Sequence, residues 1–144
     1  GDVKLRVIAG DGFGMKSPVR AHSPIFYVHA QLKAGAHIDI PGDYSERAAY
    51  VVRGRVRDEA DGAEYGPRQL LAFSSGDPAT LRASSDATVM LLGGEPLGPR
   101  FVWWNFVSSR KERIREAAAD WQAGRFKLPE SDNREFIPLP DKPI

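Results

Sequence analysis

The sequence predicts a mainly β fold, an antiparallel barrel or jelly roll, with one C-terminal helix. Three observations carry this. Short runs of alternating apolar and polar residues recur along most of the chain. Glycine and proline, 14 and 11 in number, punctuate these runs at spacings too short for helical crossovers. One segment alone, near the C-terminus, shifts to the 3.6-residue period of a helix.

The strands follow in order. Residues 3–9 set Val3, Leu5 and Val7 against Lys4 and Arg6, the period of two of a half-buried strand. Gly10, Gly12 and Gly14 read as a loop, and their spacing does not match the G-x-G-x-x-G of a nucleotide-binding turn. Pro24 precedes a strand over 25–32, with Phe26, Val28, Ala30 and Leu32 on one face. Lys33-Ala34-Gly35 turns the chain into a strand over 36–40. Strands over 48–52 and 55–57 flank Gly54, Asp61-Gly62 signals a hairpin, and 69–73, 79–83 and 87–92 complete the set. The run 101–107, FVWWNFV, is apolar on both alternating faces. A strand covered on one side would not show this, so the segment is either sandwiched or supplies an interface.

Ser109 with Glu112 three residues later reads as a capping box. Ile114, Ala117, Ala118 and Trp121 form one apolar stripe, and Gly124 suits the position just past the helix. Arg110, Lys111, Arg113 and Arg115 oppose the helix dipole, at roughly 0.3–1 kcal/mol each at most. They form either a docking surface for an acidic partner or a solvated face offset by Glu112 and Glu116. The following tail, with Pro129, Pro138, Pro140 and Pro143, is expected to be extended. The expected division is a barrel over 1–107, a helix over 108–124 and a Pro-rich tail over 125–144.

Composition narrows the function classes. Twenty basic against nineteen acidic residues leave a net charge of +1, so no strong field favours nucleic acid or membrane. No cysteine is present, which excludes disulfides, thiolate metal sites and thiol catalysis and favours the cytoplasm. No apolar run reaches membrane-span length, and no signal peptide is visible. Gly1, standing where an initiator Met would, points to a trimmed or tagged start. No G-x-S-x-G elbow supports a hydrolase triad.

From Gly35 to Gly54 the chain reads GAHIDIPGDYSERAAYVVRG. Its glycine spacing matches a cupin first motif, G-x5-H-x-H-x3-E-x6-G, but the ligand slots fall on Pro41, Asp43 and Arg47. The second motif, laid on Gly66 onward, puts its histidine slot on Asp77. Several imidazoles or carboxylates must converge to hold iron, nickel or zinc. Pro41 has no side-chain donor, and Arg47 puts a fixed positive charge where a cation would sit. The runs SPIFYVHAQLKAGA, ERAAYVVRGRV, GGEPLGPRFVWWNFVSS and ADWQAGRF extend the likeness: the chain resembles the pirin family over nearly its whole length. What matches is the C-terminal half of a two-domain cupin protein, which implies a cupin-type antiparallel β-barrel (jelly roll). The resemblance places the family's metal, iron, in an N-terminal cupin, on histidines and a glutamate with no counterpart here. It also implies quercetin 2,3-dioxygenase activity for a whole pirin, or redox-dependent control of transcription factors or metabolic enzymes. The expected partner is the N-terminal cupin domain or a second copy of this chain, as a dimer.

No catalytic, cofactor-binding or metal-ligating residue is therefore expected here. Asp43 and Asp77 around Arg47 are expected to form an ion-pair set that plugs the old metal cavity, beside Asp39 and Glu46. In an alternative reading the cluster binds a polar small molecule, as in metal-free isomerases or epimerases, with His29 as base and Tyr50 or Tyr27 as acid. Alternation alone does not decide whether His29 points inward beside Tyr50 or outward as an ordinary strand residue. His37 lies outside the ligand slots, and His22 falls in a loop.

Overall fold

Over residues 1–96 the alternation becomes two antiparallel sheets in the computed structural model, which describes residues 1–141. In chain order the strands are β1 (Val3–Gly12), β2 (Met15–Lys16), β3 (Ile25–Leu32), β4 (His37–Asp39), β5 (Glu46–Arg53), β6 (Val56–Asp58), β7 (Glu64–Tyr65), β8 (Leu70–Phe73), β9 (Thr80–Ala83) and β10 (Ala87–Gly94). One sheet has the order β2-β1-β3-β10-β5-β8 and the other β4-β9-β6-β7. Each therefore keeps two edges, so of the barrel and jelly roll expected from the strand spacing it is the jelly roll, an open sandwich, that forms. Phe26, Val28, Ala30 and Leu32 of β3, with Val51, Val89 and Leu91, meet Ile38, Val56, Leu81 and Ala83 of the smaller sheet in one core. Burial of these side chains is the main driving force for this unit.

Residues 10–14 depart from the expected loop. β1 runs on to Gly12 and pairs with β2, Gly12 opposite Met15. The two-residue turn between them holds Phe13 and Gly14 at φ 55° and 71°, the left-handed pair that matches strand twist. Gly54 has a different task. It joins β5 of one sheet to β6 of the other at φ +79°, and a Cβ there would lie 2.2 Å from the Asp86 carbonyl oxygen. Only glycine permits that approach.

Contacts separate Gly1–Pro96 from a second unit that starts at Leu97. Residues 97–107 thus group with the helix, whereas the sequence reading places them in the barrel. The apolar run is not one strand but a hairpin, β11 (Phe101–Trp103) and β12 (Phe106–Ser108), turning at Trp104-Asn105. Its two faces differ: one carries Trp103 and Phe106, both half-buried, with Phe101 exposed at its end, and the other presents the exposed pair Val102 and Val107. The helix α1 spans Lys111–Gln122. Arg110, not Ser109, is its N-cap, and no side chain caps it; the amide of Arg110 instead donates to Ser108 Oγ at 3.2 Å. The C-terminal end is as expected. Gly124 takes φ +66°, its N–H donates to the Trp121 carbonyl, and that of Arg125 to Asp120, a Schellman arrangement.

Aromatic rings hold this second unit together. Trp104 meets Phe106 and Trp121 edge-on, both at 5.4 Å. Trp121 also contacts Phe126 and stacks on Phe136 at 5.5 Å, and its indole N–H donates to the Ile137 carbonyl at 2.8 Å. The tail is without regular structure yet laid back on the helix; Pro143 lies outside the described residues. Among the described residues, no helix is long and apolar enough to cross a membrane. Edge-on ring pairs contribute about 0.5–1.5 kcal/mol each beyond burial. Trp104→Ala, which removes two of them, is expected to destabilise this unit by roughly 2–3 kcal/mol, read as a lowered melting temperature in tryptophan fluorescence.

Candidate functional site

The four slot residues lie at one end of the sandwich but do not converge as ligands. Arg47, on β5, points inward with Ala49 and Val51 and is only 4% exposed. Pro41 is half-buried in the loop after β4, and Asp43 and Asp77 are exposed. The expected ion-pair set is absent. Nη2 of Arg47 donates to two backbone carbonyls, Ser74 at 2.8 Å and Asp77 at 2.6 Å. Asp77 thus contributes through its main chain, and the ion pairs of the described residues do not include Arg47, Asp43 or Asp77. Nε of Arg47 is buried without a partner.

The chemistry of this donor set does not fit a metal ion. A guanidinium stays protonated and has no lone pair to give, and it occupies the interior side of the slot cluster. Among the described residues, no three His, Asp or Glu side chains gather closely enough to hold an ion. What Arg47 does is mechanical. Ser74 and Asp77 belong to the segment that leaves β8 of the larger sheet and enters β9 of the smaller one. The guanidinium bridges this crossover from inside.

Tyr44, between the slots Asp43 and Arg47, is a feature the sequence reading missed. Its ring is buried and packs 5.2 Å from Phe26. Its hydroxyl donates to the Asp11 carboxylate, with the carbonyls of Asp11 and Ile25 at 3.0 and 3.3 Å. The hydrogen bond to Asp11, then burial, pushes the phenol up to about 12. The only hint in the sequence is an acidic residue between two turn glycines, Gly10-Asp11-Gly12. A second unforeseen pair, Lys33 Nζ to Asp86 Oδ2 at 2.7 Å, fastens two turns at the surface. Their mutual hydrogen bond raises Lys33 and lowers Asp86 from their ordinary values, and exposed pairs of this kind contribute little.

The acid–base trio falls elsewhere. Phe26, Val28 and Ala30 take the interior side of β3, so Tyr27 and His29 face outward. In register His29 pairs with Met90, and Met90 with Tyr50. His29, Tyr27 and Tyr50 therefore share the outer face of the larger sheet, and the interior pocket envisaged for an isomerase does not form from them. Asp39 accepts a hydrogen bond from Thr80 Oγ1 at 2.7 Å. His22, His37 and Glu46 are exposed.

Two facing antiparallel sheets in this order, joined over the slot cluster, define a cupin-type jelly roll. The chain belongs to the pirin family: residues 27–127 match the Pirin C-terminal cupin domain. A pirin-like protein of Caulobacter vibrioides is 54% identical over 141 residues, 98% of this chain and 48% of that protein. Two crystal structures of quercetin 2,3-dioxygenase from Acinetobacter baumannii are similar. One superposes with a TM-score of 0.80 at 22% identity, covering 99% of this chain and 48% of the other. The second gives 0.74 at 26%, covering 85% and 43%. The chain thus spans about half the length of the curated relatives it matches.

Two outcomes are expected from the interior. Arg47→Ala leaves the carbonyls of Ser74 and Asp77 without their donor, which is expected to cost about 2–3 kcal/mol and to speed amide exchange along 74–78. For Tyr44, the folded phenol lies above the ordinary value of 10.0, so its contribution is whole below pH 10 and is lost as pH rises to about 12. Chemical denaturation over that range is expected to show a decline on the order of 2 kcal/mol, absent in Tyr44→Phe.

Proposed function

We propose that this chain is the metal-free C-terminal cupin of a longer, cytoplasmic pirin-like protein, serving as the structural and interaction half beside a metal-bearing N-terminal cupin. Arg47 carries this reading: a guanidinium bound to backbone carbonyls stands where a cupin would present a ligand. The half-length match to the curated relatives supports it. So does the exposed hairpin face of Val102 and Val107, an apolar surface suited to the other half or, in its absence, to a second copy of the chain. For the whole protein the reading is oxidation of quercetin-like substrates by O₂ at iron, supported by likeness to a crystal structure of quercetin 2,3-dioxygenase. O₂ chemistry of this kind needs a metal or another cofactor, so it belongs to the half that can hold one.

The isolated chain, purified without a histidine tag, is expected to contain no stoichiometric iron, nickel or zinc by elemental analysis. It should also show no quercetin turnover above background. A metal bound at one per chain inside the sandwich would sink the proposal.

A further inference from the structure

Of the edges that the two sheets of the sandwich keep, one is unlike the rest. β2 and β7 are two residues long, and β4 is three, with His37 and Asp39 exposed on it. Short or charged edges of this kind resist pairing with another chain. β8, at the end of the larger sheet, reads LLAF over Leu70–Phe73, with no charge and no proline. The groups on its free side follow from the ladder. Val51 donates to the Gln69 carbonyl, so by the alternation of an antiparallel pair Ala49–Leu71 and Arg47–Phe73 are the next hydrogen-bonded pairs. The peptide groups of Leu70 and Ala72 therefore point away from β5, and no hydrogen bond of the described residues uses them.

We propose that this edge pairs antiparallel with the β8 edge of a second copy of the chain, so that the two larger sheets join across a twofold axis at Leu71. The occupant follows from self-complementarity. With Leu71 facing its own copy, Leu70 of one chain stands opposite Ala72 of the other, and each such pair exchanges both its hydrogen bonds. A large side chain then meets a small one on both sides of the axis. Charge agrees as well. The same register sets Arg68 of each copy against residue 74 of the other, where the turn that carries Asp77 begins. Arg68 and Asp77 are both exposed, and the ion pairs of the described residues include neither. The twofold repeats this contact, so an isologous dimer closes with positive against negative at both ends. The pairing uses only β8 and its flanks and does not depend on the two-half reading.

Sedimentation of the whole chain is expected to shift from one copy to two as concentration rises. Amide exchange at Leu70 and Ala72 should slow by about tenfold or more over the same range, with Leu71 and Phe73 unchanged. Ala72→Pro removes an outward N–H and no bond to β5, and should leave a folded monomer. Arg68→Asp sets like charges together at both ends and should weaken association by about tenfold. Adding Asp77→Arg should restore it, a rescue that a general loss of stability would not produce. Melting curves verify folding, and the charge pair keeps the test decisive if Ala72→Pro does not fold. A chain that stays monomeric at every concentration overturns the proposal. So does a dimer in which the amides of Leu70 and Ala72 stay fast or the charge variants have no effect, since association would then lie on another surface, such as Val102 and Val107 of the hairpin.

Discussion

A fixed positive charge sealed inside an apolar sandwich is the constraint around which this cupin is arranged. Arg47 cannot shed its proton, and removing it from water is costly unless every donor finds an acceptor. The chain meets this need with peptide carbonyls rather than carboxylates. Those carbonyls lie in the segment that crosses from one sheet to the other, so satisfying the charge and closing that end of the fold are one event. A carboxylate partner would neutralise the charge but leave the crossover free. The carbonyl solution ties the strand path to the guanidinium, at the cost of one buried donor, Nε, left without a partner.

The same division between interior and surface runs through the rest of the molecule. In the larger unit, aliphatic side chains fill the space between the sheets, and polar groups at the rim fasten turns, as Lys33 and Asp86 do. In the second unit no sheet sandwich is available. Rings do the work instead, with Trp121 joining hairpin, helix and tail. That centre also holds Trp104 at φ 51°, a conformation a bulky side chain adopts only when its surroundings require it.

Much of the strand pattern was legible because alternation is local. The run from Ile25 to Leu32 keeps its limits in the structure, and Gly124 ends the helix where its sequence context placed it. Other features depended on partners that are distant in sequence. Alternation put His29 opposite Phe26, yet only the second sheet decides which side is inside. The slot spacing located Arg47, but nothing nearby in sequence shows that its acceptors are main-chain atoms of residues 74 and 77. The hairpins at Phe13-Gly14 and Trp104-Asn105 were hidden for another reason: Phe and Trp rarely take positive φ, so neither advertises a tight turn. Ser109 and Glu112 have the spacing of a capping box, but the β12 strand runs to Ser108, and the helix begins one residue later than that box requires.

The helix that results has unequal ends. Its C-terminal turn is closed by two backbone hydrogen bonds and by Arg125 on Asp120 at 2.6 Å. Its N-terminal turn has no side-chain cap, one acidic residue, Glu112, and a cluster of basic ones working against the dipole. End effects alone therefore favour fraying of α1 at Lys111 over Gln122. That tendency is opposed by Ile114, the buried residue of the helix, only 1% exposed one turn in from its start.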